Sequence, residues 1–155
     1  VLSVASLVHV LFAVIWVGGM FFAWMILRPA AAQVLEGPER LMLWRPVLSR
    51  FFVWVWKSVV LITLSGYWMG FTLYGRMADW PTHVHVMHGL SWIMVGLFLL
   101  VFFLPFRKLR QAVDTQDWAA GAAALATIRK LVAANLALGL VVVISASGGR
   151  FGLFG

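Results

Sequence analysis

The sequence predicts an all-α integral membrane protein, a four-helix bundle built from two duplicated helical hairpins. Three observations carry that expectation. The 155-residue chain is 63% hydrophobic. Only 11% of it is charged, against roughly 25% in soluble domains. The apolar residues also fall into four continuous runs, each near the ~20 residues that a helix needs to cross a bilayer. A water-soluble domain of this length would have to expose much of that surface. The runs lack the alternation of a membrane barrel, so helices remain the way to satisfy every backbone N–H and C=O in lipid.

The first span is read as Val4–Leu27, closed by Arg28 and Pro29. It is longer than a signal-peptide core and shows no convincing cleavage site, so it is expected to be retained. The second covers Phe51–Leu73, with Lys57 about two turns inside it, where a long stem can snorkel back to the headgroups. The third covers Val84–Phe106 and the fourth about Leu131–Ser147. In the first loop, Gly37-Pro38 marks a turn and Leu41–Trp44 leads along the interface into span two. In the third loop, Asp114 and Asp117 have the spacing of an N-cap and its acidic partner, which predicts a helix from about Thr115 running into span four. Trp44, Trp54, Tyr74 and Trp80 near the span ends read as interfacial anchors.

Charge sets the expected orientation. The net charge is +7, yet the basic residues are not spread over a soluble face and do not point to nucleic acid. Arg28, Arg40, Arg45 and Arg50 lie in the first loop; Arg107, Lys108, Arg110, Arg129 and Lys130 lie in the third. By the positive-inside rule these loops are cytoplasmic, and both termini face outward, towards the periplasm across a bacterial inner membrane. The loops would meet anionic lipid headgroups. The absence of cysteine excludes disulfides, thiolate metal sites, iron–sulfur clusters and covalent haem attachment.

A shift of 76 residues lays His9-Val10 on His85-Val86, Trp16 on Trp92 and Pro29 on Pro105, while Ile62–Gly66 resembles Ile144–Gly148. Two like hairpins about an axis along the membrane normal would face one histidine against another at equal depth. All four histidines, His9, His83, His85 and His88, lie at the outward ends of spans one and three. An ionisable side chain in a span is costly, and it marks function.

At about 100° per residue, His9, Ala13, Trp16 and Met20 form one stripe, and His85, Gly89, Trp92 and Gly96 form its counterpart. Two neutral imidazoles on opposing helices suit a haem b iron. His9 and His85 are the expected axial pair, with His88 the substitute. Ala13, Gly89 and Gly96 would give the macrocycle room beside Trp16 and Trp92, with Arg76 or Arg150 near its propionates. His83 falls outside that site. The function expected from it is electron transfer or redox chemistry with an unidentified redox partner or quinone.

The same region supports a second reading. His83, His85, Met87 and His88 form a His/Met segment at the outward entrance, and imidazole with thioether suits copper, Met favouring Cu(I). Met20, Met25, Met69 and Met94 read chiefly as packing, or, with copper, as a path inward. A third reading is a haem-free subunit of a membrane complex or homo-oligomer. Asn135, Ser65, Ser145 and Ser147 are expected to tie helices together. Every carboxylate, Glu36, Glu39, Asp79, Asp114 and Asp117, falls in a loop, which speaks against hydrolytic chemistry.

The run HVLFAVIWVGGMFF, with His9, Trp16, Gly18 and Gly19, resembles the first helix of the CopD family of bacterial membrane proteins and of the related HemJ family. The similarity extends over most of the chain: four spans, basic first and third loops, and His85 opening span three. The HemJ resemblance implies haem b and oxidation of protoporphyrinogen; the CopD resemblance implies copper uptake or resistance at the inner membrane. HemJ-like sequences carry an arginine late in the first helix and a lysine two residues after the third-helix histidine. Met25 and Met87 stand there instead, so CopD is the closer resemblance.

Overall fold

In a computed structural model, described over residues 1–150, the chain forms four long helices: α1 Leu2–Val34, α2 Gly37–Tyr74, α3 Thr82–Asp114 and α4 Trp118–Gly149. Each is long and apolar enough to span a bilayer, and no strand occurs among the described residues. They run in alternating directions, with α1 packed chiefly on α2 and α3 on α4. One end of the bundle holds Leu2, Tyr74, Thr82 and all four histidines. The other holds the basic turns. Exposed Val10, Val14, Val60, Leu64, Ile93 and Ile144 make the mid-bundle surface apolar. The protein is an integral, multi-pass membrane protein.

The helices outrun the expected spans, mostly at the basic end. At ~1.5 Å per residue, the 38 residues of α2 extend about 57 Å, nearly twice the ~30 Å of hydrocarbon. Leu41 and Trp44 are buried within the helix rather than lying along the interface; α2 begins at Gly37, opened by a capping box in which Glu36 and Glu39 each bind the other's backbone N–H. These reciprocal bonds satisfy donors that the first turn leaves free. Arg45 pairs with Asp114 at 2.5 Å, joining α2 to the tip of α3. Asp114 therefore does not cap the next helix. Asp117 does so alone, accepting the Ala120 N–H at 3.0 Å, and α4 starts at Trp118 rather than at Thr115.

Two prolines punctuate the first helix of each hairpin. Pro29 lacks an N–H, and its ring crowds the carbonyl four residues back; α1 answers with a π-helical turn over Ala23–Leu27. Pro105 follows Leu104, whose φ of −106° and ψ of −84° break α3 into Thr82–Phe103 and Pro105–Asp114. The second piece is amphipathic: Phe106, Leu109 and Ala112 are buried, while Arg107, Lys108 and Arg110 are exposed.

Below mid-depth the core is aromatic. Phe52 meets Phe98, Phe102 and Phe106 with centroids 5.6, 6.0 and 4.8 Å apart, and Trp16 and Trp56 both stand edge-on to Phe98. Such pairs contribute about 0.5–1.5 kcal/mol each beyond area burial. Two expected anchors belong inside. Trp44 is buried in this core, and Trp80 is buried beneath the α2–α3 turn against Gly70, where an added Cβ would lie 2.5 Å from its ring. Trp54 and Tyr74 are exposed as anchors would be. Lys57 is exposed too, its ammonium 4.4 Å from the Trp54 ring centre, one turn towards the basic end.

Candidate functional site

Above the aromatic core, the bundle opens at the histidine end into a cavity of about 590 Å³ between all four helices. α1 contributes His9, Ala13 and Trp16; α2 contributes Tyr67 and Met69; α3 contributes His83, Met87, His88, Ser91 and Met94; α4 contributes Gly139. Three imidazoles and three thioethers thus line one space that has no carboxylate, ammonium or guanidinium among its described lining residues.

His9 is positioned by α2. Its Nδ1 lies 3.1 Å from the Ile62 carbonyl and 3.0 Å from Ser65 Oγ, and Ser65 spends its own hydroxyl proton on the Leu61 carbonyl. A carbonyl can only accept, so Nδ1 carries the proton and Nε2 keeps a free lone pair. A histidine that donates one ring N–H to a backbone carbonyl has the orientation of a metal ligand.

His88 also leaves Nε2 unprotonated, but does not leave it open. Its Nε2 accepts the Trp92 indole N–H at 3.1 Å, and that donor fixes Nε2 as unprotonated. Tyr67, 2.8 Å from the same nitrogen, must donate as well. The lone pair of His88 is doubly capped, whereas that of His9 is open.

The structure does not bring His9 and His85 together. His85 is exposed on the outer face of α3 and leans against Trp80, ring centroids 6.2 Å apart. Gly89 and Gly96 share that outward face and line no part of the cavity. Trp92 is half exposed and also lines the cavity. The inward side of α3 carries His83, Met87, His88, Ser91 and Met94 instead. The stripe expected on α1 faces inward, with His9, Ala13 and Trp16 at the cavity and Met20 buried below. Of the methionines proposed as a path, Met69 and Met94 line the cavity, while Met25 faces outward, 54% exposed. Arg76 is exposed and bonded to Asp79 at 3.3 Å; the Arg150 side chain lies outside the described residues.

Tyr67 and the enclosing Trp80 were not among the expected site residues. A lone tyrosine within an apolar span was their one visible signal. Asn135 lies one turn below Gly139; its amide donates to the Met94 carbonyl at 3.3 Å, and its buried Oδ1 has no partner among the described residues.

No three His, Asp or Glu side chains among the described residues approach closely enough to hold a metal together. An ion in this cavity would need imidazole and thioether jointly. That donor set fits a soft monovalent metal and rejects hard cations, which need oxygen ligands. A tetrapyrrole finds less support: its two expected axial histidines do not share the cavity, and the described lining offers no cation for its carboxylates.

Comparison with protein-family models gives a match to CopD, copper resistance protein D, over residues 45–148. The match covers α2 from Arg45, all of α3 and nearly all of α4, and leaves out His9. Comparison with curated proteins gives no match, and neither does comparison with solved structures. Because the family match spans well over half of the 155 residues, the chain belongs to the CopD family of copper resistance membrane proteins.

Proposed function

We propose that the protein receives copper as Cu(I) in the His/Met cavity and passes it into the membrane-spanning bundle. The observation that carries this reading is the lining itself: three imidazoles, three thioethers and, among the described residues, no charged side chain. His83 and Met87 stand at the mouth. His9, through its open Nε2, is the ligand already oriented. Met94 lies seven residues below Met87 on α3, about 10 Å deeper, and its buried thioether ends the donor series above the aromatic core. The positive-inside rule, applied to the basic turns, supports a cavity mouth on the outer face.

The test is an anaerobic Cu(I) titration of the detergent-purified protein against a chromophoric chelator. One tightly held Cu(I) per chain is expected. His9→Ala should weaken it by at least about tenfold, the scale of losses already seen when only a ligand's outer partner is removed, while Mg²⁺ and Ca²⁺ should not compete. A folded protein that holds no copper would sink the proposal. A stoichiometric b-type α-band in the reduced-minus-oxidised spectrum would replace copper with haem.

A further inference from the structure

The basic end carries a second concavity, remote from the histidine cavity and independent of the copper reading. It is a groove of about 580 Å³ between the distal part of α3 and the first turns of α4. The break at Leu104 redirects α3, and Ala120, Ala123 and Ala124 keep the facing wall of α4 low.

Polarity changes along its length. Leu100, Leu104 and Pro105 line the end nearer the membrane, with Thr127 opposite. Lys108, Gln111, Thr115 and Asp117 line the far end. That is the order of a phospholipid, chain first and headgroup after. From Leu100 to Pro105 the chain rises about 7–8 Å, enough for the headgroup-proximal part of one acyl chain to lie along the apolar end.

Charge selects the headgroup. Lys108 is exposed and makes no ion pair among the described residues. Asp114 is paired with Arg45; Asp117 lines the groove and caps α4 through the Ala120 N–H, keeping its negative charge, so the positive excess comes from Lys108 with its basic neighbours. Arg107 and Arg110 flank Lys108 on the same amphipathic segment; both are exposed, with Arg110 lying over the Phe106 ring at 5.0 Å. Basic pockets between helices at a membrane surface are suited to phosphate headgroups.

We infer that this groove seats one anionic phospholipid, its phosphate on Lys108 with the Gln111 amide beside it, and one acyl chain along Leu104 and Leu100. The amphipathic tip of α3 would then be fixed to the bilayer by a bound lipid as well as by its fold.

Native mass spectrometry of the intact protein, incubated with phosphatidylglycerol or phosphatidylcholine, tests this. One phosphatidylglycerol should be retained in preference to phosphatidylcholine. Lys108→Gln should reduce its retention about fivefold, the effect of one basic residue at a charged membrane surface. Ala123→Phe, which fills the groove without altering charge, should do the same. Arg50→Gln removes the same charge from an exposed position on α2, outside the groove, and should leave retention unchanged. Equal retention of both lipids, equal loss in the Arg50 and Lys108 variants, or an Ala123→Phe protein of native fold that still holds the lipid would each overturn the inference. Lys108→Gln changes an exposed side chain, so it keeps the test decisive where Ala123→Phe fails to fold.

Discussion

Two of the three histidines that line the cavity differ in what their free nitrogen meets. His9 is ready, because its proton is committed to Ile62 and Ser65 and its other nitrogen is open. His88 must shed the Trp92 and Tyr67 donors before its Nε2 can bind anything. Removing a competing donor should therefore strengthen metal binding. Tyr67→Phe is expected to tighten Cu(I) binding by about two- to tenfold, the worth of one ordinary hydrogen bond, measured by the same chelator competition. A loss of affinity would instead make the Tyr67 hydroxyl a ligand or an essential support. The opposite signs expected for His9→Ala and Tyr67→Phe separate ligand from cap.

At the scale of elements, the turn between α2 and α3 is held by the seating of Trp80 on Gly70. Gly70→Ala would bring a methyl group into that ring, an overpacking that costs about 1–3 kcal/mol. It should lower the thermal midpoint in detergent. Gly18→Ala, where nothing lies within 4 Å, should leave the midpoint unchanged. Equal tolerance at the two sites would show that Trp80 is not seated on α2. The four helices, their order and the basic turns were legible in the sequence, because length and hydropathy determine what can span lipid. The inward face of α3 was not. Lipid is as apolar as a protein core, so hydrophobicity cannot tell a lipid-facing side from a packed one, and both faces of α3 carry histidine, His85 on the outer and His83 and His88 on the inner. The repeat laid His85 on His9 in sequence, but the helices are turned differently: Trp16 is 4% exposed and its counterpart Trp92 is 50% exposed. On α1 the stripe was legible because His9, Trp16 and Met20 recur at helical spacing. Trp44 and Trp80 misled because an aromatic near a span end suits the interface and the interior equally.

At the scale of the molecule, the inside–outside assignment rests on the arrangement of charge, and the lack of any native cysteine makes it easy to test. Single cysteines at Thr82, beside the histidine end, and at Thr115, between α3 and α4, give a background-free accessibility assay in intact cells. A membrane-impermeant maleimide should label Thr82→Cys from outside, and Thr115→Cys only after permeabilisation. The reverse pattern would invert the topology and turn the cavity mouth to the cytoplasm.

The uncharged character of the described lining has an electrical consequence. Imidazoles and thioethers are neutral ligands, so a site they form would carry the net charge of its Cu(I). Any step that moved the ion inward would carry that charge through the membrane field. In a membrane with a negative interior, each 100 mV contributes about 2.3 kcal/mol for a charge crossing the whole field, and a proportionate share for one that stops at Met94. A carboxylate in the lining would set its own attraction for the ion against that pull. On the proposed copper reading and orientation, the membrane potential would itself favour the ion's descent.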